Sequence, residues 1–136
     1  MCLIIGGWRD GQYIVVGGRP SIGKSDVGLN FLRSAALNGH PGIFFSLEMS
    51  NKQVMHRLAG MTTDRNRQNF VEPNKLKHEE GVSVKGVVKK LNKDLPELPI
   101  YLDDKTTEWD RIKLKIKKRA RQDKIELAVI DYFGLI

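Results

Sequence analysis

The sequence predicts one α/β domain, with a mainly parallel sheet covered by helices on both faces. Three observations carry that expectation. Short apolar, β-branched runs alternate with amphipathic segments of helical period along the whole chain. A glycine-rich turn joins the first such run to the first such helix. The final run ends on an aspartate, and open parallel sheets place their ligands beyond the carboxyl ends of the strands.

The elements follow in order. Gln12 to Val16 reads as a buried strand, with Gly11 before it and Gly17-Gly18 after it. A helix begins near Gly23, with Val27, Phe31 and Ala35 on one face and Leu32 and Ala36 beside them. Asn38-Gly39 ends it, and Ile43 to Leu47 forms a second strand. Ser50 and Gln53 form a capping box for the next helix, whose apolar stripe is Val54, Leu58 and Met61. The lysine-rich stretch from Thr62 to Pro96 predicts one helix, near Val84 to Leu91.

Pro99 to Leu102 predicts a third strand, closed by Asp103-Asp104. Thr107 to Arg121 predicts a helix with a second capping box, Thr107 and Asp110, and an inward face of Trp109, Ile112, Ile116 and Ala120. Ile112, Leu114 and Ile116 alternate as in a strand, but the cap and the length favour helix. Leu127 to Ile130 predicts a fourth strand, ending at Asp131.

Composition sets the bounds. The chain's 136 residues, 40% hydrophobic and 29% charged, suit a single globular domain over 1–136. A chain this short buries a small share of its surface, so a part of a larger fold is marginal alone. A net charge of +7 favours polyanionic partners, nucleic acid before anionic membrane. Cys2 is the one cysteine, which excludes an internal disulfide and a cysteine-cluster metal site and suits a reducing cytoplasm. With no apolar run of bilayer length and no leader-like N-terminus, a cytoplasmic protein without membrane attachment is expected.

Gly18, Arg19, Pro20, Ser21, Ile22, Gly23, Lys24 and Ser25 fit the pattern G-x-x-x-x-G-K-[ST]. The glycines let backbone amides converge on one concavity, and the helix that follows adds its positive end. Lys24 is placed to neutralise the β- and γ-phosphates of a nucleotide, and the Ser25 hydroxyl to ligate Mg²⁺. Without a ligand, the same glycines make a flexible strand-to-helix turn. Asp131 suits the second acidic group of such a metal site, or else simply starts a turn. Glu48 closes the second strand. It can act as the base for an attacking water, or as a first-turn carboxylate favoured by the helix dipole. Asp103 and Asp104 are rivals for either role, although paired aspartates before a lysine more often form a solvated turn.

These motifs together resemble the motor domain of DnaB-type replicative helicases. Residues 6–25 (GGWRDGQYIVVGGRPSIGKS) resemble its entry, FFSLEMS its next motif with Gln53, Arg57 and Leu58 following, and YLDD through LAVIDYFGLI the segment ending in the Walker B aspartate. The resemblance implies a RecA-like P-loop fold, hydrolysis of ATP with Mg²⁺, and a homo-hexameric ring on single-stranded DNA. It implies phosphate binding by Lys24, metal binding by Ser25 and Asp131, and Glu48 as catalytic base, with Arg19 part of the cradle. The family's Asp-Tyr-Leu-Gln segment reads Asp131-Tyr132-Phe133-Gly134 here, without the glutamine, and the sequence stops at Ile136. An incomplete motor domain is therefore expected. Two other readings stand beside it: a non-hydrolysing protein that joins or competes for an intact helicase ring, and a RecA-like ATPase of another branch.

Seven basic residues from Arg111 to Arg121 crowd one predicted helix, either to contact phosphates or to form a solvated outer face. His40, His56 and His78 lack ligand spacing. Trp109 is expected in the core, and Trp8 over the nucleotide or at the sheet edge.

Overall fold

Three of the apolar runs become parallel strands in a computed structural model that describes residues 9–19, 22–63 and 97–131. The strands are β1 (Gly42–Ser46), β2 (Ile100–Asp103) and β3 (Leu127–Asp131), in the spatial order β2-β1-β3. Helices α1 (Lys24–Leu37), α2 (Asn51–Thr63) and α3 (Trp109–Gln122) connect or cover them. Residues Val84 to Leu91, Trp8, Pro20, Ser21 and Tyr132 to Gly134 lie outside the described residues.

β1 is buried along its whole length because both of its faces are covered. Its side chains alternate between two clusters. Phe44 packs with Leu29 and Leu32 of α1 and with Val54 and Leu58 of α2. Ile43 and Phe45 point the other way and pack with Ile112 of α3 and with Ile125. This alternation of a strand's faces puts helices on both sides of the sheet, as expected. Gly28 lets α1 approach closely, since a Cβ there would stand 3.1 Å from Val129 Cγ1 and 3.7 Å from Phe44 Cε2.

Register places strand ends level with one another. Gly42 pairs with both Ile100 and Leu127, and Ser46 pairs with Asp131. One further backbone bond, from Leu47 N–H to the Asp131 carbonyl at 2.8 Å, extends the β1–β3 ladder past Ser46.

The local signals held where chemistry was short-range. The Ser50 amide donates to Gln53 Oε1 at 2.9 Å while the Gln53 amide donates to Ser50 Oγ at 3.4 Å, the reciprocal pattern of a capping box. α1 stops at Asn38-Gly39, whose amides return to the carbonyls of Ala35 and Ala36.

Four expectations need correction. Gln12 to Val16 is not a buried strand: it is irregular and exposed, with Tyr13 at 70% and Val15 at 75%. Its composition suits a strand, but strand formation depends on a covered neighbour, and this segment stands across an open cleft from β3. On α1 the core face is Leu29, Leu32 and Ala36, whereas Val27 is exposed and Phe31 and Ala35 line the cleft. Two apolar stripes compete on this helix, and the sheet took the other one. α3 starts at Trp109, with Glu108 as N-cap and no side-chain cap bond, so Thr107 and Asp110 form no box. Asp103 holds the preceding turn by accepting from the amides of Lys105 and Thr106, and ion pairs Glu108–Arg111 and Asp110–Lys113 staple the first turn instead. Ala120 faces solvent, because the inward face is centred on Ile112 and flanked by Trp109 and Ile116.

Leu114 is 67% exposed, so the strand-like alternation around it was accidental. No helix among the described residues is long and apolar enough to cross a membrane.

Candidate functional site

The glycine-rich loop feeds directly into α1. Gly23 is the N-cap residue at φ 91°, in the left-handed region that a side chain would strain, and the helix starts at Lys24. The Lys24 ammonium bends back to donate to the Gly18 carbonyl at 2.9 Å, so it lies over its own loop. Gly18, Arg19 and Ile22 are exposed, while Gly23, Lys24 and Ser25 are half-buried. First-turn amides of a helix have no intrahelical acceptor, so this end of α1 presents donors and positive potential.

A cleft of about 950 Å³ opens between residues 9–18 and the outer edge of β3, and Gly18, Lys24, Ser25 and Asp131 all line it. Asp131 is only 7% exposed, and its Oδ2 is buried without a hydrogen-bond partner among the described residues. A buried carboxylate oxygen in that state is costly unless a cation or ordered water completes it. Ser25 and Asp131 supply the hard oxygen donors that Mg²⁺ prefers, so the residues present fit that ion.

Glu48 sits on the exposed bend between β1 and α2, just past the level of Asp131 and outside the residues that line the cleft. The bend is held by Ser46 Oγ, which accepts from the Met49 amide at 3.2 Å, and by the Ser50–Gln53 box. Arg57 of α2 donates to Asp26 Oδ1 at 2.6 Å, tying the helix after Glu48 to the first turn of α1. Sequence reasoning missed both Ser46 and the Arg57–Asp26 pair. Strand parity could have found Ser46, since it lies two residues before Glu48 at the level of Asp131. The ion pair joins residues far apart in sequence and left no local signal.

The rival aspartates have other partners. Asp103 accepts from the amides of Lys105 and Thr106 at 3.0 Å each, from the Thr106 hydroxyl at 2.9 Å, and from the Lys115 ammonium. Burial pushes its pKa up, but those donors, Lys115 foremost, outweigh burial and hold it at about 2. Asp104 Oδ2 accepts from the Asn51 amide at 2.7 Å, where a carboxylate complements the start of α2.

Four of the seven basic residues of α3 are ion-paired. Arg111, Lys113, Lys115 and Arg119 pair with Glu108, Asp110, Asp103 and Asp123, and the Arg119 guanidinium also stacks 4.4 Å from the centre of the Tyr101 ring. The hydrogen bond to Asp123 raises the Arg119 pKa further. His40 Nδ1 meets Glu126 Oε2 at 2.7 Å on the cleft wall away from the loop.

A glycine loop entering a helix, beside a strand-end acid on a parallel sheet, defines the P-loop class of α/β domains. Comparison with known proteins narrows this. The family profile of the DnaB-like helicase C-terminal domain matches residues 3–136, and the chain belongs to that family. The replicative DNA helicase DnaB of Mycoplasma pneumoniae is 30% identical over 96% of this chain and 28% of its own length. A probable replicative DNA helicase of Guillardia theta is 32% identical over 98% of this chain and 22% of its own length. The chain thus spans under a third of either relative. Two solved structures share the fold. One is an ATPase domain, at a TM-score of 0.65 and 24% identity over 86% of this chain and 41% of that one. The other is a DnaB-like replicative helicase described with its interactions with primase, at 0.63 and 23% over 86% and 29%. The fold is RecA-like, and the described residues hold part of it.

Proposed function

We propose that this chain is the ATP-binding and hydrolysing part of a replicative DNA helicase motor. The observation that carries the reading is the buried Asp131 Oδ2, without a hydrogen-bond partner among the described residues, in the same cleft as Gly18, Lys24 and Ser25. Lys24 exchanges the Gly18 carbonyl for the β- and γ-phosphates, and the amides entering α1 take the remaining phosphate oxygens. Ser25 and Asp131 hold Mg²⁺, which when bound shields phosphate charge and favours phosphoryl transfer. Arg19 and Ile22, with Pro20 and Ser21, complete the loop around the phosphates. Glu48 is the base that orients and deprotonates the attacking water. The reading extends to the assembly the family resemblance implies, a homo-hexamer acting on single-stranded DNA in the cytoplasm.

The exposed position of Glu48, outside the cleft lining, favours one second reading. In it the chain binds nucleotide without turning it over and joins an intact helicase ring. Steady-state ATP hydrolysis with and without single-stranded DNA decides between them. DNA-stimulated turnover that Glu48→Gln abolishes supports the motor, and nucleotide binding without turnover supports the second reading. Unchanged MgATP affinity in Lys24→Ala would remove both.

A further inference from the structure

Ser46 ends the central strand in register with Asp131, and register partners on parallel strands send their side chains to the same face. That face is the one covered by α1, because Phe44 and Val129, two residues earlier on each strand, pack beneath it. Gly28 lies directly over Phe44 and Val129. Ser25 precedes Gly28 by nearly one turn, which carries α1 toward the strand ends where Ser46 and Asp131 stand. Ser46 and Asp131 therefore share the face that α1 covers, with Ser25 in the first turn of that helix; Ser25 and Asp131 line the cleft, and Ser46 stands behind Asp131 on the neighbouring strand.

The hydroxyl of Ser46 is only partly used. Ser46 is 3% exposed, and its Oγ accepts the Met49 amide. A hydroxyl also carries one proton to donate, and burial makes an idle donor costly. In register beside it, Asp131 Oδ2 is also buried and has no hydrogen-bond partner among the described residues. A water between them answers both needs, since bridging waters serve nearly as well as direct bonds.

We propose that Ser46 is a positioning residue for the divalent cation, donating its hydroxyl proton to water in the ion's shell at Asp131 while its oxygen holds the Glu48 bend. The proposal rests on the nucleotide-site reading above. Ser46 would then connect the metal acid to the base across two neighbouring strands. Its oxygen already accepts the Met49 amide at 3.2 Å, which leaves the hydroxyl proton for this role.

The test is titration of a fluorescent ATP analogue into the full chain, with Mg²⁺ and with chelator, for the parent, Ser46→Ala and Ser46→Thr. Ser46→Ala is expected to leave affinity in chelator within twofold and to cut the gain conferred by Mg²⁺ about tenfold, the usual scale for removing a partner of a metal ligand. Ser46→Thr, which keeps the hydroxyl, should restore most of that gain. A full Mg²⁺ gain in Ser46→Ala, or equal weakening with and without Mg²⁺, would overturn the assignment while leaving nucleotide binding intact. Failure of Ser46→Thr to recover more of the gain than Ser46→Ala would overturn it too. A parent chain that binds no analogue, or that gains nothing from Mg²⁺, overturns the metal-site reading and this assignment together.

Discussion

Asp103 and Asp131 end the two strands that flank β1 in the same sheet and are equally buried, each at 7% exposure, yet they are opposites. Asp103 is surrounded by donors: two amides, a hydroxyl and the Lys115 ammonium. Asp131 has an oxygen that nothing among the described residues completes. A buried carboxylate that the fold itself satisfies contributes to stability. One that the fold leaves incomplete is free to hold something else, and Asp131 lines the same cleft as Gly18, Lys24 and Ser25. Burial alone does not separate structural from functional acids, whereas the accounting of partners does.

Substitution should make that contrast measurable. The largest stability effect is expected from Asp103→Ala, which removes four hydrogen bonds and leaves two amides and the Thr106 hydroxyl without their acceptor. A loss of about 2–3 kcal/mol in chemical denaturation follows, limited because Lys115 can turn to solvent. An effect below about 0.5 kcal/mol would break the comparison.

Acid should reproduce part of that loss. The Asp103 pKa falls from 3.8 in the free side chain to about 2 in the fold, so its contribution is complete above pH 4 and is lost as pH falls toward 2. That contribution is about 2 kcal/mol, and denaturation midpoints of the parent and Asp103→Ala should converge across this window.

Asp131→Asn should behave the other way. Stability changes by less than about 1 kcal/mol, since no hydrogen bond to Oδ2 from the described residues is lost. The gain in ATP affinity on adding Mg²⁺ should nonetheless collapse. If Asp131→Asn unfolds the chain instead, Asp131 is structural and the contrast fails.

Lys115→Ala should give the smallest effect, because its side chain is 42% exposed. Under about 1 kcal/mol is expected, together with a rise in the Asp103 pKa visible by carboxyl NMR. The two amides and the Thr106 hydroxyl should keep that pKa below 3.8.

How far sequence reached depended on the range of the interaction. Ser50 and Gln53 lie three residues apart, so their reciprocal cap was legible and formed. Thr107 and Asp110 have the same spacing but lost to Asp103, which had already organised the chain through Thr106. The loop from Gly18 to Ser25 and the acid at Asp131 were legible as motifs, and Gly18, Lys24, Ser25 and Asp131 line one cleft. Ser46 and the Arg57–Asp26 pair were not, because their meaning lies in which strand or helix stands opposite.

By itself, the sequence determined the alternation of strands and helices, the phosphate-loop pattern and the family resemblance, since each depends on local period or contiguous residues. Tertiary structure alone decided which stripe of α1 faces the sheet, that Tyr13 to Val16 stays exposed, and which aspartate is completed by protein donors. Those outcomes depend on competition among distant surfaces for the same few neighbours, and local composition carries no record of who wins.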